Sequence, residues 1–420
     1  MPYAILHSEA PADFRSAIRE TKLRLREQLG DYEAAFARAK EEINLSVDRV
    51  VRELSRGEVA WPTLNFEQLI AGSVSEDERD AIRDRGCVVI RGTFPRETAK
   101  SWDDELAEYL VSNHFFERYR YIDDGIFDGL SANKPSIFPI YWSRPQVLAR
   151  QHPNMMIVRR FLNSLWRAYS EGIVWFDPTQ DTGYPDRIRR REPGTNSTGL
   201  SPHVDSGSVE RWLLKEYQLV FRHVFANRWD LYDPWDAAWR TEVAEYPSTV
   251  MCSAFRSFQG WTALSDMAPS EGVLSVVPIA KAMGYVLLRA LQDDVPEDEL
   301  CGAANGQALP ITETWHSPLL RAKATIPAVE PGDTVWWHPD LIHAVEPVTN
   351  QKGWANVMYI PATPLCLRNA TYAELCGRAF RDGRSPGDFA QEDYEVDWEG
   401  RATESDLNST GRKQLGFDPW

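Results

Sequence analysis

The chain predicts a mainly β fold with α flanks, of the sandwich or jelly-roll kind. Two observations carry this. From about residue 134 onward, short β-branched and aromatic runs alternate with turns rich in Pro and Gly, a texture that favours a sandwich over a parallel α/β sheet. Helical periodicity is concentrated toward the two ends and in one insertion. Taken in order, residues 13–56 are charged, free of proline and helically periodic, and they predict two helices broken at Gly30-Asp31. "DERDAIRDRGCVVIRGTFPRETAKSWDDELAEYLVSN" reads as helix, strand, helix, with "CVVIRG" (87–92) the strand. Candidate strands follow at 187–192, 203–208, 250–264, 272–278, 322–328, 333–338, 342–348 and 354–361. The helical insertion covers 209–245. The spans expected are an N-terminal helical extension (1–60), a core domain (61–369) and a C-terminal helix with a wrapping tail (370–420).

Composition narrows the function classes. With 46 Lys and Arg against 62 Asp and Glu, the net charge of −16 argues against nucleic acid and anionic membrane as partners. Sixteen Trp suggest a large aromatic core or a ring-lined pocket. The first residues show no basic stretch leading into an apolar run, and no apolar run approaches the length of a membrane span. The five Cys are scattered and form no CxxC pair, which reads as reduced thiols in the cytoplasm.

Two stretches hold metal-ligand residue types. "PGDTVWWHPDLIHAVEPV" (331–348) contains His338, Asp340 and His343. On a strand His338 and Asp340 share a face while His343 has the opposite parity. A helix is opposed by Pro339 and would splay the two histidines apart. The stretch therefore reads as strand, turn, strand, and no single element aims all three at one ion. Upstream, "GLSPHVDSGSVERW" (199–212) puts His203 and Asp205 two apart on a β-like run, projecting to one side. An H-x-D pair alone says little, and His338-Pro339-Asp340 is itself a second one. Two histidines and one carboxylate on one face of iron leave three positions open, as O₂-activating iron needs.

In sequence order, "SPHVDSGS…FQGWTALSDMAPSEGVLSVVPIAKA…PGDTVWWHPDLIHAVEPV" resembles the iron(II)/2-oxoglutarate-dependent dioxygenase superfamily in its phytanoyl-CoA-hydroxylase-like style. More closely, and over nearly the whole chain, the sequence resembles the YbiU-like family of oxygenases. The resemblance implies a double-stranded β-helix (cupin-like) core and His203, Asp205 and His343 as iron ligands. It implies Fe(2+) and 2-oxoglutarate as cofactors, with O₂ and a small organic molecule as partners. The implied reaction is hydroxylation or desaturation through an iron-oxo species, with succinate and CO₂ as coproducts. His338 and Asp340 match no ligand position. Asp205 speaks against halogenation, because halogenating relatives leave that position empty for halide.

One departure stands out. The superfamily's cation for the distal carboxylate of 2-oxoglutarate falls about 10 to 14 residues beyond the distal histidine, and residues 353–357 here hold no Lys or Arg. Arg256 is the first substitute, with Asn356 and Gln259 as hydrogen-bonding candidates and Arg191 as second choice. Arg187, Arg189 and Arg190 read as solvated or ion-paired. On the substrate side, "IFPIYWSRPQ" (137–146) offers Tyr141, Trp142 and Arg144, and Arg211 follows the H-x-D strand. Glu210 either faces the site or caps the inserted helix. The competing readings are a cupin-like metal-dependent isomerase or epimerase, an O₂-using oxidase that needs no 2-oxoglutarate, and a metal-free scaffold.

Overall fold

The computed structural model describes residues 8–120, 136–247 and 252–420. Its first two helices run Phe14–Leu29 and Tyr32–Ser55. Their boundary follows from local chemistry. Gly30 closes the first helix at φ 70°, and the Asp31 carboxylate accepts from the Ala34 amide to start the second. The second helix buries Ala35, Ala39, Ile43, Val47 and Val50, one stripe at helical spacing, against the main core.

Two sheets organise the rest. A seven-stranded sheet runs, in order across it, Thr63–Asn65, Cys87–Arg91, Thr334–Trp337, Gln259–Ala263, Val357–Tyr359, Ile188–Arg189 and Ile137–Phe138. A five-stranded sheet runs Leu309–Pro310, Leu200–Val204, His343–Val345, Leu274–Val276 and Ala324–Thr325. Val204, Leu274 and Val276 of the smaller sheet share one core with Trp261, Ala263, Val335, Trp337 and Val357 of the larger. The other face of the larger sheet carries Val88, Ile90, Phe258, Trp336 and Met358. These pack with residues of the helices Arg96–Ser112 and Pro153–Asn163. Burial on both faces explains why "CVVI" and "TVWW" are continuous apolar runs without alternation. Gly260 is required by this packing: a Cβ there would sit 2.3 Å from Cε3 of Trp336, its register partner.

Among the described residues the architecture is mixed α/β with several sheets and no closed barrel, richer in helix than the mainly β expectation. Each expected strand has a counterpart, but the strands are short. The 250–264 run reduces to Gln259–Ala263, its first two residues lying outside the described ones, and 203–208 shifts to Leu200–Val204. Two helices not expected from the sequence, Ala282–Arg289 and Glu313–Leu320, lie between Leu274–Val276 and Ala324–Thr325. The first is buried almost all round, so it lacks the amphipathic stripe that marks a surface helix. The 209–245 insertion contains short helices, Glu210–Leu213, Lys215–Val220 and Arg222–Phe225, and a 3-10 turn at Trp229–Leu231. The tail opens with the helix Leu367–Asp382 and then folds back. There Glu395 accepts hydrogen bonds from the Tyr141 and Trp142 amides and the Tyr109 hydroxyl.

Candidate metal centre

His203 and His343 sit on adjacent strands of the five-stranded sheet as direct register partners, with ring centroids 4.3 Å apart. Asp205 follows just past the strand end, where Ser206 (φ 58°) and Gly207 (φ 75°) turn the chain. Only glycine fits at 207, because a Cβ would lie 2.2 Å from the Tyr217 hydroxyl oxygen. The carboxylate is thereby brought between the imidazoles: His203 Nε2 is 3.3 Å from Asp205 Oδ1, and His343 Nε2 is 3.4 Å from Oδ2. One ligand atom from each residue lies within 4.8 Å of the others, a spacing that can hold a metal ion.

The tautomers suit that role. His203 Nδ1 lies 2.7 Å from the Ser201 carbonyl and His343 Nδ1 lies 3.0 Å from the Leu341 carbonyl, so each Nδ1–H donates to backbone. A neutral ring then turns its Nε2 lone pair toward a carboxylate, a repulsive arrangement unless a cation sits between them. Burial opposes charge on Asp205, yet the His343 and His203 rings outweigh it and hold the carboxyl well below the usual range. A proton on Nε2 can take the cation's place: burial pushes His203 down, but the hydrogen bond this proton makes to Asp205 prevails and raises it. His343 is lowered, by burial first and then by His203. Both histidines are buried while the Asp205 side chain is 33% exposed, so the site opens on the aspartate side.

That side is a cleft of about 60 Å³, lined in part by Asp205, Arg211, Arg256, Tyr217, Pro339 and Asp340. Arg211, 1% exposed, is its organiser. It donates to the carbonyls of Gly207 (2.6 Å) and Ser206 (2.7 Å) and to Asp340 Oδ1 (2.7 Å), and Arg240 pairs with Asp340 Oδ2 at 2.8 Å. The turn after Asp205 is thus tied to the turn before His343. Arg211 was expected on the substrate side, but its donors are spent on backbone and Asp340, which makes it a positioning residue.

The remaining expectations divide. His338 and Asp340 stand outside the triad, as expected. His338 Nε2 contacts the Pro234 carbonyl at 3.0 Å, its Nδ1 accepts from the Asp340 amide, and its ring stacks on Trp166. Burial pushes it down to about 3. Arg256 lines the cleft, donating to the Ser206 hydroxyl at 3.3 Å, with Tyr184 beneath it. Gln259 is buried on the larger sheet opposite Trp337, whose ring is 5.5 Å from that of His343. Asn356 does not meet the expectation. Its amide nitrogen donates to Asp103 and its oxygen accepts from the Arg191 amide, which leaves nothing for a cosubstrate. Arg191 gives Nε to Gln351 and Nη2 to the Glu271 and Gly272 carbonyls, and only its Nη1 has no partner among the described residues.

Tyr141 and Trp142 belong to a third buried cluster with Tyr184 and Tyr372, and Arg144 is exposed and paired with Asp406. None of these three lines the cleft. Glu210 is buried at the start of its helix, accepts from the Ser208 amide, and is pushed up to about 7 by burial. The wet-face reading of "RIRRR" fails for Arg189, which is 4% exposed. Its alternation around Ile188 was the signal, since every second residue of a strand shares a face. Trp337 had no distinguishing mark in an aromatic run.

Residues 12–417 match the model of the Gig2-like family, and the chain belongs to that family. It is 52% identical over 410 residues to the uncharacterized protein YbiU from Escherichia coli (strain K12), covering 97% of each chain. Among solved structures, it is 51% identical to a candidate oxidoreductase from Salmonella typhimurium LT2, covering 99% of this chain and 100% of that one with a TM-score of 0.94. It is 26% identical to GlcNAc Inducible Gene 2, GIG2, from Candida albicans, covering 99% and 91% with a TM-score of 0.82. No helix among the described residues is long and apolar enough to cross a membrane.

Proposed function

We propose that this protein is an iron(II)- and 2-oxoglutarate-dependent oxygenase that hydroxylates or desaturates a small organic substrate. The observation that carries the reading is the triad: two Nε2 atoms and a carboxylate converging within 4.8 Å, with both Nδ1 positions occupied by backbone carbonyls. The donor set fits a non-haem iron(II) ion with three positions left open. The name carried by the Salmonella relative agrees with redox chemistry. In this reading the two sheets are the halves of a double-stranded β-helix spanning residues 61–369, with 1–60 and 370–420 folded onto it.

Bound iron(II) and 2-oxoglutarate would together reduce O₂, releasing succinate and CO₂ and oxidising a C–H bond of the substrate. The chain's own contribution is placement. His203 and Asp205 come from one strand end and His343 from its neighbour, so the sheet fixes the three ligand atoms before metal arrives. Arg211 holds the Asp205–Gly207 carbonyls, and through Asp340 the turn ahead of His343. The cleft on the exposed side of Asp205 receives the substrate, with Arg256 at its wall.

Purified protein supplied with iron(II) should bind it, and a turnover assay should show 2-oxoglutarate-dependent succinate formation that a correct substrate stimulates. Iron binding and turnover that persist in His203→Ala would refute the assignment.

A further inference from the structure

The larger sheet turns an unusual wall toward the triad. Gln259, Trp261 and Ala263 share one parity, and Trp261 and Ala263 belong to the core between the sheets. Residues directly opposite in antiparallel strands point the same way, so Trp337 (opposite Gln259) and Arg189 (opposite Val357, itself opposite Ala263) line this same wall. Gln259 is 4% exposed, Trp337 5% and Arg189 4%. Gln259 Nε2, Trp337 Nε1 and Arg189 Nε all lack a hydrogen-bond partner among the described residues. Three buried donors on one face, without an acceptor among the described residues, leave hydrogen-bonding capacity that an acceptor-rich ligand can take up.

Arg189 sharpens the point. Among the described residues its one side-chain hydrogen-bonding contact is a 3.7 Å approach of Nη2 to the Met267 sulfur. Burial dominates its electrostatic balance and lowers it; Tyr359 opposes, and no carboxylate of the described residues enters. The neighbouring cations are better engaged: Arg190 pairs with Asp103 and Arg187 with Asp186, and Arg191 gives Nε to Gln351 and Nη2 to two carbonyls, keeping only Nη1 without a partner among the described residues. A guanidinium taken out of water without a counter-charge is costly, and among the described residues no carboxylate pairs with Arg189, which leaves the place open to an anion from solution. Strand rise puts Ala263, in the row of Arg189, about 13 Å along the sheet from Gln259. That gap is of the size that a long Arg side chain and a five-carbon dicarboxylate can bridge together.

Resting on the oxygenase reading, we propose that Arg189 is the cation that receives the distal carboxylate of the 2-oxo dicarboxylate, with Gln259 and Trp337 donating to the same ligand nearer the triad. The anchor thus comes from the strand beside the one where the sequence lacks a cation. Val357, in the empty window, is the register partner of Arg189.

The test is calorimetric binding to the full chain loaded with zinc(II), a redox-silent stand-in, using 2-oxoglutarate and pyruvate, which has no distal carboxylate. Wild type should prefer 2-oxoglutarate by at least ~30-fold, the scale on which a buried charge pair acts. Arg189→Met should lose that preference with zinc stoichiometry unchanged, and its ligand-free thermal midpoint should not fall, because an uncompensated charge has been removed. Arg189→Lys should recover part of the preference. Should Arg189→Met not fold, Arg189→Gln gives the same readout. A variant that keeps full preference overturns the assignment, as does Arg256→Met losing it instead. Wild type that binds zinc but neither acid refutes the oxygenase reading, and the anchor with it.

Discussion

Two groups of buried charge flank the triad, and they are built on opposite principles. On the cleft side, Asp340 is held between Arg211 and Arg240, and the remaining Arg211 donors meet backbone carbonyls. On the sheet side, Arg189, Gln259 and Trp337 are as deeply buried, yet each keeps a donor without an acceptor among the described residues. A compensated buried charge is architecture: it ties two turns together and has no capacity left for a ligand. An uncompensated one leaves hydrogen-bonding capacity that a ligand from solution can take up. Residue type alone therefore misassigns function here, since Arg211 sits in the cleft and Arg189 in a wall of the core.

Substitutions can break this comparison. The largest effect belongs to the triad between the two groups. Asp205→Ala or His203→Ala should abolish iron uptake in metal analysis while the protein still folds, because removing the carboxylate also removes a close contact between lone pairs. Next is the compensated side. Arg211→Met leaves Asp340 with one partner and frees the carbonyls of the 206–207 turn. It should cost about 3–5 kcal/mol in denaturant unfolding and weaken metal affinity as well. On the uncompensated side, Arg189→Met should cost nothing in the ligand-free protein. The smallest effect on the metal is expected for His338→Gln. Loss of its contacts to Pro234 and Asp340 should cost about 1–3 kcal/mol with iron content unchanged. A loss of iron in that variant would place His338 in the site.

Much of this was legible in the sequence, and the parts that were not have physical reasons. Side-chain parity in "WWHPDLIH" separated His343 from His338 and Asp340, and the two-residue spacing of His203 and Asp205 predicted a shared side. Those are local rules and they transfer. The break at Gly30-Asp31 was equally local, a C-cap followed by an N-cap. Ala282–Arg289 escaped because a helix buried on every side loses the polar face that periodicity detects. Asn356 and Arg191 could not be excluded as ligand contacts, because their partners Asp103 and Gln351 lie far away in sequence. Arg189 was misread for the converse reason: a run of arginines looks wet until the sheet shows which of them point inward.

The central claim, that the triad holds a metal presenting open positions to a 2-oxo acid, is tested most directly by optical titration under argon. Iron(II) followed by 2-oxoglutarate should produce a weak visible charge-transfer band in the wild-type protein, saturating at one equivalent of iron and absent in Asp205→Ala. Wild-type protein that binds iron(II) at the triad but gives no band with 2-oxoglutarate at any concentration would contradict the account.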